Sequence, residues 1–323
     1  MSTDPTASER VAIIGAGSIG AAWATVFATA GFRTNLQDTD RQRLDASRAA
    51  ISERLAELAA HDLVSEAINA ILPRIQFLSD LDAALAGAAY VQESIPEDVE
   101  LKRRLFAELD RLAAPDAVLA SSSSFLPAST FAGELPGRAR CLVVHPGNPP
   151  YLLRVAELVP APFTDTAVVE RTAALLERAG MVPMRLGREI DGFVFNRLQG
   201  ALLREAYCLV RDGVASVADI DRIVRDGLGL RWSVVGPFET VDLNTRGGIV
   251  EHARRMGPAY RRMGRERGQD DPWVDDLVAR VAAERRALLP LEDWEQRVAW
   301  RDRALMALLR CRRDEPTLDE LGS

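Results

Sequence analysis

Short apolar runs alternate with longer segments of helical periodicity over the first part of the chain. Residues 10–15 form a β-branched apolar run that ends at a glycine, a pattern typical of a buried parallel strand. Residues 18–30 are rich in alanine and are followed by Gly31, which predicts a helix with a glycine at its carboxyl end. A second short run follows at 33–36. The order is therefore strand, helix, strand.

This alternation continues to about residue 190 and then stops. A long helix is predicted at 40–60, and further strands are predicted at 90–92, 117–120, 141–144 and 154–159. Beyond residue 191 only helical spacing remains, over 193–211, 216–226, 248–267, 272–288 and 291–311. We therefore predict an α/β fold, in which an amino-terminal Rossmann-like domain with a doubly wound sheet (1–190) is followed by an all-helical carboxyl-terminal domain (191–323).

The composition is that of an ordinary globular protein, and it excludes several classes. Of 323 residues, 47% are hydrophobic and 27% are charged, and no apolar stretch approaches the length of a membrane span. A net charge of −7 argues against general binding to nucleic acid or to anionic membranes. The three cysteines lack metal-ligand spacing, and their odd number suits a reducing compartment. We expect a cytoplasmic protein without a metal site.

Lysine is almost absent from the chain. There are 40 basic residues, and all of them except Lys102 are arginine. Arginine is larger, planar and differently hydrated than a compact ammonium group, so a position that keeps lysine in such a chain is a candidate for a specific role. The alternative is a chance survivor on an exposed helix.

A glycine-rich turn follows the first predicted strand. Residues 15–20 match the pattern G-x-G-x-x-G, and the residues expected to contact a dinucleotide are Gly15, Gly17, Ser18, Ile19 and Gly20. Asp38 stands at the end of the second strand, where a carboxylate accepts hydrogen bonds from the adenosine ribose and repels a 2′-phosphate. The motif predicts binding of NAD rather than NADP. The alternative is a glycine-rich turn with an unrelated surface aspartate.

A histidine and a glutamate mark a candidate catalytic pair. His145 follows the predicted strand at 141–144 and precedes a proline-rich turn, which places its imidazole at the carboxyl edge of the sheet. Glu157 lies twelve residues on, in an apolar strand that could return alongside. Such a pair supplies a base near neutral pH together with an orienting carboxylate. A purely structural turn histidine is the alternative.

Two further polar groups are ambiguous from the residues alone. The serine run 121–124 brings hydroxyls to the same sheet edge, although such a run is often only a loop. Asn196 lies in an apolar helix start, where an amide needs a partner.

The chain resembles the 3-hydroxyacyl-CoA dehydrogenase family, most closely its free-acid branch of lambda-crystallins and L-gulonate 3-dehydrogenases. The likeness covers almost the full length. It is carried by the segments GAGSIG, QESIPEDVELKRRLFAELD, HPGNPP, AELVP, GFVFNRLQ and GLGLRWSVVGPFET.

The resemblance implies an NAD-dependent dehydrogenase that oxidises an L-3-hydroxy acid to the 3-oxo acid. It implies that His145 is the catalytic base with Glu157 as its partner, and that Ser124 and Asn196 hold the reacting oxygen. It further implies that Glu97 and Lys102 contact the nicotinamide half of the cofactor. A homodimer joined through the helical domains is also implied.

Two residues bear on the substrate. Gly147 stands where the family generally carries a larger side chain, which predicts a wider or more flexible pocket beside His145. Arg231 lies in a glycine-punctuated turn between predicted helices, where a guanidinium could bind a substrate carboxylate through two hydrogen bonds. It thus favours a free acid over a CoA thioester, unless it only bonds carbonyls at a helix end.

Other activities remain open from the sequence. They are a dehydrogenase for acyl-CoA thioesters or carnitine, a reductase for polyketide-like 3-oxo compounds, and a non-enzymatic role of the crystallin kind. The intact set of His145, Glu157, Ser124 and Asn196 argues against the last of these.

Overall fold

The computed structural model describes residues 9–233, 235–244, 248–267, 276, 287 and 290–313. The described residues divide into two compact units, one drawn from the ranges 1–197 and 299–323 and the other from 198–298. The boundary between the two functional domains at 190/191 stays a prediction. The segment from Ala299 groups with the first unit, whereas the sequence had assigned it to the helical domain.

The first unit is built on an eight-stranded sheet. Its strands are β1 (Arg10–Ile14), β2 (Arg33–Gln37), β3 (Ile75–Leu78), β4 (Ala88–Glu93), β5 (Val118–Ser121), β6 (Cys141–Pro146), β7 (Val155–Pro160) and β8 (Val182–Arg185). They lie in the order β3-β2-β1-β4-β5-β6-β7-β8, and of the seven pairings only β6 with β7 is antiparallel. This is the doubly wound arrangement that the alternating strands and helices predicted.

Helices cover both faces of this sheet. They are α1 (Ser18–Thr29), α2 (Arg41–Ala60), α3 (Ile68–Ile71), α4 (Leu81–Leu85), α5 (Val99–Leu112), α6 (Ala128–Ala132) and α7 (Thr166–Arg178), with short 3₁₀ turns at Leu72–Arg74 and Arg138–Arg140. Successive residues of β1 point to opposite faces, so Val11 and Ile13 join one core cluster while Ala12 and Ile14 join the other. Burial on both faces explains why β1 is apolar from Val11 to Ile14.

The second unit is helical among its described residues. It contains most of α8 (Phe195–Arg211), then α9 (Val217–Ile223), a π-helix (Val224–Gly229), α10 (Leu230–Trp232), α11 (Pro237–Leu243) and α12 (Gly248–Arg267). A 3₁₀ turn at Leu291–Asp293 leads into α13 (Trp294–Arg313). The helix predicted at 272–288 lies outside the described residues apart from two positions.

From Ala299 onward, the last helix is part of the first unit. Met306 of α13 is fully buried in the core cluster that contains α1 and α2, and the Tyr151 hydroxyl donates to Asp302 Oδ2 at 3.1 Å. Among the described residues, no helix is both long and apolar enough to cross a bilayer.

Candidate active site

The glycine-rich turn between β1 and α1 is shaped by close backbone packing. Gly15 has a φ of +102°, and a Cβ there would lie 2.8 Å from the Ser94 carbonyl oxygen. A Cβ on Gly20 would lie 1.8 Å from the Gly15 carbonyl oxygen. At Gly17 a Cβ would meet nothing within 4 Å. Packing therefore requires two of these glycines, while the third faces open space.

This open space suits a phosphate group. Gly17 caps α1 without a side-chain hydrogen bond, and the first backbone bond of the helix runs from Ala21 N to the Gly17 carbonyl. The amides of Ser18, Ile19 and Gly20 therefore have no partner within the described part of the chain. Free amides at the positive end of a helix bind anions, so this turn fits the diphosphate of a dinucleotide.

Asp38 joins this turn to the neighbouring cleft. Its Oδ2 accepts from Ala16 N at 2.9 Å and its Oδ1 accepts from Asp40 N at 3.0 Å, so the carboxylate fixes the turn. A cleft of about 600 Å³ is lined by Asp38, Gly15 and Arg43, and Arg43 Nη1 lies 4.0 Å from Asp38 Oδ2. The structural hydrogen bonds of Asp38 were not foreseen from the sequence.

His145 and Glu157 lie directly opposite each other in the antiparallel pair β6 and β7. His145 Nδ1 lies 2.7 Å from Glu157 Oε2, and both side chains are buried. The second carboxylate oxygen, Oε1, accepts from the backbone amides of Val194 at 2.8 Å and Phe195 at 2.9 Å. The pair is therefore held between the sheet and the amino-terminal end of α8.

The surroundings keep Glu157 ionised. Burial opposes ionisation, but the hydrogen bonds from His145, Phe195 and Val194 outweigh it and lower the pKa of the carboxyl group. The chain turns into α8 through two residues with positive φ, Gly192 at 71° and Phe193 at 49°. A bulky residue in this conformation is strained, and here the strain aims two amides at one carboxylate.

The hydroxyl groups of the serine run differ in whether they have a hydrogen-bond partner. Ser121 Oγ donates to Glu93 Oε2 at 2.5 Å, and Ser123 Oγ donates to Glu97 Oε1. Ser124 is half-buried, and its hydroxyl has no partner among the described residues, while its carbonyl accepts from Asn196 Nδ2 at 2.9 Å. The structure thus brings Ser124 and Asn196 together and places Asn196 one residue after Phe195, whose amide holds Glu157.

Glu97 fastens the turn that carries Ser124. Besides the Ser123 hydroxyl, it accepts from the amides of Phe125 and Leu126, each at 3.0 Å. Burial raises its pKa, but these hydrogen bonds and the Lys102 charge prevail and lower it. The contact of Glu97 with the cofactor stays a prediction.

Lys102 lies in a buried ion pair that the sequence analysis missed. Its Nζ donates to both carboxylate oxygens of Glu93 at 2.8 Å, and the two side chains are 1% and 0% exposed. The alternative interpretation, in which Lys102 is a chance survivor on an exposed helix, is therefore wrong. The signal for Glu93 was present, because a carboxylate that ends an apolar strand nine residues before the only lysine needs a partner. Contact of Lys102 with the cofactor stays a prediction.

Two expectations about the substrate side need correction. A Cβ on Gly147 would lie 2.9 Å from both Leu153 Cβ and the Leu153 carbonyl oxygen, so this glycine allows close packing and leaves no added room. Arg231 lies in α10, which continues the helical path from α9, rather than in a turn. The glycines at 227 and 229 are absorbed by the π-helix. The Arg231 side chain is exposed, and it makes no hydrogen bond or ion pair within the described chain.

Comparisons with known proteins place the chain in a family. A family model described as 3-hydroxyacyl-CoA dehydrogenase, NAD binding domain, matches residues 10–190. The model of the C-terminal domain of the same family matches residues 192–287.

Individual relatives extend over nearly the whole chain. A lambda-crystallin homolog from Bos taurus is 42% identical over 311 residues, covering 95% of this chain and 96% of the relative. An L-carnitine dehydrogenase from Streptomyces coelicolor is 35% identical, covering 95% and 96%. The solved structure of 3-hydroxybutyryl-CoA dehydrogenase from Escherichia coli superposes with a TM-score of 0.64 at 30% identity, covering 73% of this chain and 49% of that one.

Proposed function

Because the chain belongs to the 3-hydroxyacyl-CoA dehydrogenase family, whose members are NAD-dependent dehydrogenases, we propose that it oxidises a free L-3-hydroxy acid to the 3-oxo acid. Its activity is proposed to be of the L-gulonate 3-dehydrogenase kind. The observation that carries this proposal is the buried His145–Glu157 pair beside Ser124 and Asn196.

His145 is the proposed general base. An ionised Glu157 can only accept a hydrogen bond, so Nδ1 of His145 carries a proton, and in the neutral imidazole Nε2 then has the lone pair. Nε2 takes the hydroxyl proton of the substrate, and Glu157 stabilises the imidazolium that forms. Bound NAD supplies the acceptor for the hydride that leaves carbon 3.

Ser124 and Asn196 are proposed to hold the reacting oxygen. The Ser124 hydroxyl is free to donate, and Asn196 Nδ2 uses only one of its two hydrogens on the Ser124 carbonyl. Two donors aimed at one oxygen stabilise the negative charge that develops while the hydroxyl proton leaves. Glu97 acts through the turn at 123–126 and is a positioning residue in this scheme.

Cofactor preference depends on Asp38. We expect kcat/KM for NAD to exceed that for NADP by about 10²-fold, because the carboxylate binds the ribose and repels a 2′-phosphate. Asp38→Asn keeps one acceptor oxygen for the Ala16 amide, loses the acceptor that the Asp40 amide uses, and removes the charge. We therefore expect weaker NAD binding and a preference for NAD over NADP that is narrowed about tenfold. Steady-state kinetics with NAD and with NADP measures this preference.

Arg43 provides the matched test of that preference. Once Asp38 is neutral, the exposed Arg43 keeps only its ion pair with Asp40 at 3.6 Å and can turn toward a 2′-phosphate, so any gain with NADP should disappear in Asp38→Asn/Arg43→Ala. Equal kcat/KM for the two cofactors in the unaltered enzyme would contradict the role of Asp38.

The preference for a free acid is tested with a substrate panel. With NAD, we expect L-gulonate or another free 3-hydroxy acid to be oxidised faster than 3-hydroxybutyryl-CoA, with L-carnitine as a further comparison. The exposed, unpaired Arg231 is proposed to bind the substrate carboxylate through two hydrogen bonds, so Arg231→Lys should raise KM for the acid about tenfold.

The same variant separates binding from folding. A lysine keeps the charge but loses the planar fork, and the thermal midpoint of Arg231→Lys should stay near that of the unaltered enzyme because the side chain is exposed. An unchanged KM, or faster turnover of the CoA thioester than of every free acid, would rule out this assignment.

The proposal includes a cytoplasmic homodimer that associates through the helical domains. Large apolar side chains of the second unit are exposed, including Phe238 at 77%, Val250 at 77% and Leu243 at 69%. An apolar surface of this kind is stabilised by burial against a partner, and a second copy is the partner that the family implies.

A further inference from the structure

A chain of hydrogen bonds links the core of the sheet to the glycine-rich turn. Gln92, on β4, donates from Nε2 to Ser122 Oγ at 2.7 Å. Trp23 Nε1, on α1, donates to the same oxygen at 3.1 Å. Ser122 Oγ also lies 2.9 Å from Ser94 Oγ, with either hydroxyl able to be the donor on distance alone. None of these residues takes part in the proton transfer at His145.

The orientation of the Gln92 amide is fixed by its other neighbours. The buried Tyr90 hydroxyl donates to Gln92 Oε1, and burial raises the pKa of this phenol, so it keeps its proton. On the other side, Gln92 Nε2 faces the Val144 carbonyl at 3.4 Å, which can only accept. The amide nitrogen therefore faces Ser122, and Ser122 must act as the acceptor.

A count of donors and acceptors then sets the direction of the last bond. The Ser122 oxygen has two lone pairs, and the N–H groups of Trp23 and Gln92 occupy both. Its own proton is left with one acceptor within reach, Ser94 Oγ. Ser94 therefore accepts from Ser122, and the Ser94 proton must point elsewhere. No other described residue bonds to the Ser94 hydroxyl.

Ser94 lies at the cofactor edge of the sheet. It directly follows β4, its amide donates to the Ile14 carbonyl at 2.7 Å, and its carbonyl oxygen lies 2.8 Å from the position of a Cβ on Gly15. Gly15 and Ile95 both line the cleft beside Asp38. Ser94 is therefore in backbone contact with the turn whose free amides fit a diphosphate.

We propose that Ser94 is a cofactor-binding residue whose hydroxyl donates to the diphosphate–ribose segment of NAD, with Trp23, Gln92 and Ser122 fixing the direction of that donation. If Ser94 instead donated its proton to Ser122, it would present only lone pairs to an anionic group. The three inner residues are thus positioning residues, which act on the cofactor only through Ser94.

Calorimetric titration of the apoprotein tests this proposal without any substrate, so its outcome is independent of which hydroxy acid the enzyme oxidises. In Ser94→Ala we expect the Kd for NAD and for ADP-ribose to rise about tenfold, the effect of one lost bond to a charged or strongly polar acceptor. The Kd for AMP, which lacks the second phosphate and the second ribose of NAD, should stay unchanged. In turnover, KM for NAD should rise while kcat stays within about twofold.

Two further variants complete the test. Trp23→Phe keeps the Ser94 hydroxyl but frees a lone pair on Ser122, so the direction is no longer enforced and we expect a smaller rise in the Kd for NAD, about two- to fivefold. The control is Ser129→Ala, an exposed serine outside this chain of bonds, which should bind all three ligands like the unaltered protein. An unchanged Kd for NAD in Ser94→Ala, or an equal loss of AMP binding, would overturn the proposal.

Discussion

Replacing His145 with glutamine should lower kcat by about 10²-fold or more while the Kd for NAD stays nearly constant. The side chain accepts the substrate proton in the proposed reaction, and general-base groups contribute about 10²- to 10⁴-fold. Glutamine preserves polarity and approximate size, and it can still donate to Glu157, so the local fold should persist. Single-turnover measurement of NADH formation gives the rate, and titration of the apoprotein gives the Kd.

Two comparisons make the result specific. Glu157→Gln should also slow turnover, because an amide no longer stabilises the imidazolium through charge. His61→Gln is the matched control, since His61 ends α2 and contacts the Glu57 carbonyl, away from the site. Near-normal kcat in His145→Gln at neutral pH would show that another group is the base.

The pH dependence of the pair follows from the lowered pKa of Glu157. A carboxyl group whose folded-state pKa lies below its unfolded value stabilises the fold above the unfolded pKa. That contribution is lost as the pH falls through the folded pKa. The His145–Glu157 pair therefore weakens on the acid side of the ordinary glutamate pKa.

The sequence predicted the central part of the sheet because those strands are buried on both faces. The runs that became β1, β4, β5 and β6 are mostly apolar, with their polar residues at the strand ends, which makes them visible to a periodicity argument. The two strands that were missed, β3 and β8, lie at the edges of the sheet. Edge strands carry polar residues, and β8 contains Pro183, which cannot donate to a ladder.

The residues of the candidate site also differ in how far their contacts could be predicted from the sequence. His145 and Glu157 could be predicted because their pairing depends on the register of two neighbouring strands. The hydrogen bonds of the serine run could not be predicted from residue spacing, because the partners come from separate elements: Ser122 bonds to Trp23 on α1, and Ser124 bonds to Asn196 on α8. Only the family resemblance had assigned Ser124 and Asn196 to the same oxygen. Such contacts depend on three-dimensional packing, which residue spacing does not specify. The turn predicted around Arg231 is wrong for a different reason, since glycines that normally break a helix are accommodated in a π-helix here.

Replacing Lys102 with methionine should lower the free energy of unfolding by about 3–5 kcal/mol, because it leaves the carboxylate of Glu93 buried without a counter-charge. Burial already raises the pKa of Glu93, and the Lys102 ammonium opposes that rise. Without the ammonium, the folded protein gains stability by protonating Glu93, so the deficit should grow as the pH rises from 5 to 8. Denaturant unfolding at several pH values measures both effects.

Lys102→Arg then tests why this chain keeps one lysine. The Lys102 ammonium bonds to both oxygens of Glu93 and its side chain is 1% exposed, so a larger, planar guanidinium would have to displace its neighbours. We therefore expect a loss of about 1–3 kcal/mol although the charge is retained. Arg111→Lys, at an exposed position of the same helix, makes the reverse exchange and should change stability by less than about 0.5 kcal/mol. If Lys102→Arg were as stable as the unaltered protein, the shape of the buried site would not account for the lysine. A Lys102→Met deficit independent of pH would likewise show that Glu93 is not the group left unpaired.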